Sequence, residues 1–98
     1  MRQIAILALA AGLSWVPLAQ AQDVASAEAL IKKSGCLKCH SVSADKDGPS
    51  FKKTAAKYKG QGDAAAKLQK FLTAGGKHPA LKADEGQVKN VVAYVLSR

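Results

Sequence analysis

Apolar positions follow two regimes along this chain. From Ile4 to Leu13 they form a nearly continuous run without a charge, and from Val24 onward they recur at helical spacing among charged residues. The first amphipathic segment predicts a helix from about Val24 to Ser34, with Asp23 or Ser26 as cap and Ala27, Leu30 and Ile31 on one face. Gly35 loosens the chain after it. Ser41, Ser43, Asp45, Asp47, Gly48, Pro49 and Ser50 mark residues 41–50 as a loop. Phe51 to Tyr58 predicts a short helix, ended by Gly60 and Gly62. Asp63 can cap the next, Ala64 to about Ala74, with Leu68, Phe71 and Leu72 on one face and Gly75-Gly76 as the stop. Lys77 to Lys82 is a second loop, stiffened by Pro79. In the last helix Val88, Val91, Val92, Val95 and Leu96 form one stripe, and Asp84 with Gln87 makes a capping-box pattern. Strict strand-like alternation is absent. The expectation is an all-α fold of about four helices with two long loops, and such loops in so small a domain need something to hold them.

The first apolar run reads differently from the rest. It follows the basic start Met1-Arg2 and leads through Trp15-Val16-Pro17-Leu18 to Ala19-Gln20-Ala21, with small residues at alternate positions. That is the layout of a secretory signal peptide cut after Ala21. An uncut membrane anchor is the alternative, but the Ala-rich run, Pro17 and the peptidase-like end favour cleavage. Residues 1–21 are thus expected to be the signal and 22–98 the single domain, located in the periplasm with no stable membrane insertion. Cleavage leaves 77 residues. A chain this short buries a small core and commonly needs disulfides, a metal or a cofactor to hold it.

Charge narrows the partners. Without Arg2 the chain has 14 Lys+Arg against 7 Asp+Glu, and only Arg98 of those bases is Arg. Export and the scarcity of Arg argue against nucleic acid, since bidentate phosphate and base recognition favours Arg. A diffuse Lys surface suits steering toward an acidic protein partner or an anionic membrane surface, or simply solubility.

Cys36-Leu37-Lys38-Cys39-His40 is the C-x-x-C-H signature of covalent haem attachment. Each thiol forms a thioether to the porphyrin edge, and residues three apart on a helical turn lie on the same side. The next residue can then place its imidazole under the iron. A Cys36–Cys39 disulfide is possible in an oxidising compartment. A thioredoxin-like pair would need a βαβ context. Zinc held by Cys36, Cys39, His40 and His78 has the right ligand number. Zinc would not supply the apolar body that so short a chain lacks; haem would.

Residues 25–98 resemble a class I cytochrome c. The resemblance rests on CLKCH, on Gly48-Pro49-Ser50-Phe51 and Ala55-Ala56-Lys57-Tyr58, and on Val92-Ala93-Tyr94-Val95-Leu96 in the last helix. It implies a fold wrapped around one haem c, with the first and last helices crossing and Tyr94 at their contact. It further implies that the Pro49 carbonyl faces the ring N–H of His40, the proximal ligand. Most such proteins use a distal Met in the loop before the last helix. Here Met1 is the only Met, whereas His78, the only other His, stands directly before Pro79. The expected distal ligand is therefore His78; Lys77, Asn90 or an open site are the alternatives. Two imidazoles favour ferric iron, so a lower potential than in Met-ligated relatives is expected.

Phe51, Tyr58, Leu68, Phe71, Leu72, Leu81 and Val92 are candidates for a haem crevice or for an ordinary core. Lys38, Lys52, Lys53 and Lys77 are candidates for a docking patch. The chain reads as a single-electron carrier rather than an enzyme, because no general base, nucleophile or second metal accompanies the haem. A haem sensor whose His78 detaches is a second reading, and rapid carbon monoxide binding by the reduced protein would favour it. A haem subunit of a larger oxidoreductase is a third.

Overall fold

The computed structural model describes Gly12 and residues 23–98. The expected signal segment and its cleavage point lie outside the described residues, Gly12 apart. Four helices account for the fold, α1 (Val24–Lys33), α2 (Phe51–Tyr58), α3 (Ala64–Ala74) and α4 (Glu85–Leu96), with a short 3₁₀ turn at Cys36–Lys38. No strand occurs among the described residues.

Capping explains where the helices begin. Asp23 accepts from the Ser26 backbone N–H at 3.0 Å and from its hydroxyl at 2.6 Å, so Asp23 and not Ser26 caps α1. Lys32 and Lys33 in its last turn complement the helix dipole. Ser50 caps α2 by accepting from the Lys53 N–H at 3.0 Å. In the capping box of α4 the Asp84 side chain accepts from Gln87 N–H at 2.8 Å, and Asp84 N–H donates to Gln87 Oε1 at 3.1 Å. Asp63 departs from expectation. It precedes α3 but makes no capping hydrogen bond, because its ψ of 5° lacks the extended geometry that turns a cap side chain back. Its carboxylate pairs instead with Lys67 at 3.2 Å.

α4 is the element against which the other three pack. It supplies Val88, Val91, Val92 and Tyr94, four of the eight buried apolar residues among those described. Ala27 and Ile31 of α1 join Phe51, Val91 and Tyr94 in one cluster, with Leu30, Cys36, Leu81 and Val95 partly buried around it. Tyr94 stands edge-on to Phe51, ring centroids 6.3 Å apart, and its hydroxyl donates to Glu28 of α1 at 3.3 Å. The expected packing of the first helix on the last, with Tyr94 at the contact, is thus observed. Asn90 adds a second tie across 67 residues: it accepts from Asp23 N–H at 3.0 Å and donates to Asp23 C=O at 2.9 Å.

Along α3, Ala64 is buried and Leu68 and Leu72 are half-buried. Phe71, expected on the same face, is 54% exposed. Ala64, Leu68 and Leu72 follow the i, i+4, i+8 row, and Phe71 falls beside that row.

Candidate functional site

Two loops meet at the site. Gly35 enters the first with φ 77°, a left-handed conformation that glycine adopts without a Cβ penalty. The 3₁₀ turn follows, closed by Cys39 N–H and His40 N–H, both donating to Cys36 C=O at 3.2 and 3.0 Å. Cys36 is half-buried, Cys39 is exposed, and no disulfide joins them. Burial pushes the Cys36 thiol pKa up, against a smaller opposite effect from a backbone hydrogen bond.

The chain then folds back. Gly48 N–H donates to Cys39 C=O at 2.8 Å, Phe51 N–H to Ser41 C=O at 2.9 Å and Lys52 N–H to Val42 C=O at 3.0 Å. Asp45 accepts from Ser50 N–H at 2.8 Å and pairs with Lys53 at 3.4 Å. The Ser50 N–H first, and Lys53 after it, hold the Asp45 carboxyl below the usual carboxylate range. This folding brings the Pro49 carbonyl to His40 Nδ1 at 2.6 Å. A carbonyl only accepts, so Nδ1 carries the proton; in the neutral tautomer that this bond selects, Nε2 has the lone pair a metal needs. Phe51 stacks against the ring, centroids 5.7 Å apart.

The second loop leaves α3 through Gly75 (φ 71°) and Gly76 (φ 100°). It closes where Leu81 N–H donates to Leu72 C=O at 2.7 Å. Within it His78 Nδ1 donates to Pro79 C=O at 2.9 Å, which again leaves Nε2 free. The centroids of the His40 and His78 rings are 6.0 Å apart and their planes are tilted by 41°. Two imidazoles sharing one metal ion need a similar gap: two bonds of about 2.0 Å each, plus the two distances from nitrogen to ring centre. Metal-binding histidines typically donate their other ring N–H to a carbonyl or carboxylate, as both rings do here. The gap between the His40 and His78 rings is thus of the size that a shared metal ion requires.

Other donors are less suited. Asn90 is committed to Asp23 through both ends of its amide. No cluster of three or more His, Cys, Asp or Glu able to hold a metal exists among the described residues, which removes support for zinc on Cys36, Cys39, His40 and His78. Of the crevice candidates, Phe51 and Val92 are buried, Tyr58, Leu68, Leu72 and Leu81 are half-buried, and Phe71 lies outermost with its ring 4.9 Å from His78.

Sequence reasoning missed one residue's role and, for the crevice candidate Phe71, one contact. The residue is Gly48: a Cβ there would lie 2.8 Å from His40 Nδ1 and closer still to Cε1. Its place beside Pro49 was the available signal. The other is the contact of Phe71 with His78, which helical periodicity disguises as core packing.

A small helical domain whose C-x-x-C-H turn sits against its helical core is the architecture of a covalent haem protein. Comparison gives the narrower answer: the sequence profile of the cytochrome c family matches residues 24–98, and the chain belongs to that family. It is 35% identical over 77 residues to cytochrome c-551 of Azotobacter vinelandii, covering 71% of this chain and 94% of that protein. Cytochrome c-551 of Pseudomonas aeruginosa is 30% identical over 105 residues, covering 100% and 99%. The crystal structure of the class 1 cytochrome MtoD from Sideroxydans lithotrophicus ES-1 superposes with a TM-score of 0.76 at 40% identity, covering 79% of this chain and 97% of that one. The chain is accordingly a class I cytochrome c that carries one covalent c-type haem, an electron carrier serving redox partners and not an enzyme. No helix of the described residues is long and apolar enough to cross a membrane.

Proposed function

We propose that this cytochrome is a periplasmic single-electron carrier of low potential, with its haem bonded to Cys36 and Cys39 and ligated by His40 and His78. The observation that carries the reading is the 6.0 Å separation of the two rings, each with its Nδ1 hydrogen tied to a carbonyl. The haem supplies an iron that cycles between ferric and ferrous states. The protein's share is to hold it. Cys36 and Cys39 fix the ring to one turn of chain. Pro49 C=O fixes the azimuth of His40 and makes its Nε2 a better donor. Pro79 C=O does the same for His78. Two nitrogen donors stabilise ferric over ferrous iron, so the potential lies below that of Met-ligated relatives. With two protein ligands the iron offers no position to substrate, which suits electron transfer.

Location and docking extend the reading. Residues 1–21 direct export and are removed after Ala21, so the mature chain is 22–98 and works in the periplasm. Lys38, Lys52 and Lys77 are exposed and available to an acidic partner surface, whereas Lys53 is already paired with Asp45. N-terminal sequencing of the exported protein should begin at Gln22.

The ligation is tested with His78→Ala. The variant should lose the low-spin spectrum of the wild type in at least one oxidation state. Retention of that spectrum in both states rejects His78 as the ligand.

A further inference from the structure

Phe71 is the most exposed of the large apolar side chains described, at 54%, and it stands outside the core cluster of α1, α2 and α4. Its aromatic contact is with His78: centroids 4.9 Å apart, planes at 47°. The two residues belong to different frames. Phe71 is fixed in the last turn of α3, where Thr73 Oγ1 also donates to Gln69 C=O at 2.9 Å. His78 is on the loop beyond the left-handed Gly75 and Gly76, and its own hydrogen bond, to Pro79, stays within that loop. The Phe71 ring therefore joins the His78 imidazole itself to α3, alongside the backbone bond from Leu81 N–H to Leu72 C=O that closes the loop.

We propose that Phe71 is a positioning residue for His78: its ring restricts rotation and withdrawal of the imidazole, and so sets how readily an outside ligand takes the place of His78 on the iron. The proposal rests on ligation by His78. An imidazole leaving the iron must rotate or translate with its loop, and either motion disrupts its contact with the Phe71 ring. A tilted aromatic pair is favoured beyond the area it covers, by an amount corresponding to about 2- to 10-fold in an equilibrium or rate. The ring achieves this from the surface, so its loss need not disturb the core.

The test uses the haem-loaded ferric protein mixed with potassium cyanide at saturating concentration, where the limiting rate reports detachment of His78. Phe71→Leu keeps an apolar side chain and removes the ring; Phe71→Tyr keeps the ring. Phe71→Leu should raise the limiting rate about 3- to 10-fold, with a thermal midpoint close to wild type and the rate restored in Phe71→Tyr. A rate within about 2-fold of wild type in Phe71→Leu overturns the proposal. So does a faster rate that tracks a lowered midpoint and is not restored by Phe71→Tyr, because that is general loosening. If His78→Ala keeps the wild-type spectrum, the ligation reading falls and the proposal with it. That result differs from an altered His78→Ala spectrum with an unchanged Phe71→Leu rate, which sinks the proposal alone.

Discussion

Gly48 and the His40 imidazole lie too close for any side chain to fit between them: a Cβ on Gly48 would sit 2.8 Å from Nδ1 and 2.9 Å from Nε2, and nearer to Cε1. The backbone of Gly48 is not in the left-handed region, so space and not conformation demands glycine. The ring cannot retreat freely, since Pro49 C=O holds its Nδ1 at 2.6 Å and Phe51 stacks against it. Gly48→Ala should therefore destabilise the protein by about 1–3 kcal/mol, as overpacking does, and perturb the haem spectrum. Denaturant unfolding and the visible spectrum check this. Wild-type behaviour in both would show that the loop adjusts without cost.

Asn90 and the backbone of Asp23 exchange two hydrogen bonds at 3.0 and 2.9 Å. Asn90→Ala returns both Asp23 groups to water and unties the start of α1 from α4. The expected loss is about 1–2 kcal/mol, with faster amide exchange at Ser26 and Ala27 and an unchanged spectrum. A changed spectrum would mean that Asn90 reaches the iron, contrary to its place in the structure.

Asp45 is one of two carboxyls whose pKa hydrogen bonds lower, and it is the one beside the site. Hydrogen bonding from Ser50 N–H, then Lys53, lowers its pKa in the folded protein from 3.8. A depressed carboxyl contributes stability that is fully present above its unfolded pKa and is lost as pH falls through the folded value. Stability should thus decline below about pH 4. Asp45→Asn keeps an oxygen for Ser50 N–H but removes the titration. Unfolding curves from pH 5 downward should show a shallower acid limb in the variant, by up to about one proton in the linkage slope. An identical slope would assign the acid sensitivity elsewhere, Asp23 being the other carboxyl lowered by hydrogen bonds, here from Ser26.

Local signals made much of this legible from sequence. Helix α2 starts and stops where expected because Ser50 caps it and Gly60, at φ 80°, turns the chain beyond it. Helix α4 shows both its stripe and its capping box. Asp63 misleads because residue type suggests a cap while ψ decides whether the side chain can reach. At the site, Cys36, Cys39 and His40 are contiguous and His78 stands out by composition. The need for glycine at 48 depends on how closely a residue eight positions away approaches it. Phe71 satisfies a helical period yet turns to the second loop. Neither relation is encoded in spacing, since both arise only when separate segments are brought together.

His78→Met tests whether the distal position itself sets the potential. The substitution puts a thioether directly before Pro79 and leaves the His40 side of the site unchanged. With His78 as the proposed ligand, loss of its imidazole would remove a donor that favours ferric iron, together with the hydrogen bond to Pro79 C=O. Both changes favour the ferrous state, so the potential should rise. The rise should be on the order of 0.1–0.3 V, part of the roughly 0.8 V that axial ligation spans across haem proteins. A spectroelectrochemical titration of the two proteins in one buffer measures it. Methionine is more flexible than histidine and has no ring for Phe71 to hold, so some of the variant should be high-spin, and the low-spin fraction must be titrated separately. An unchanged or lower potential in that fraction would mean that the wild-type iron does not take its sixth bond from His78.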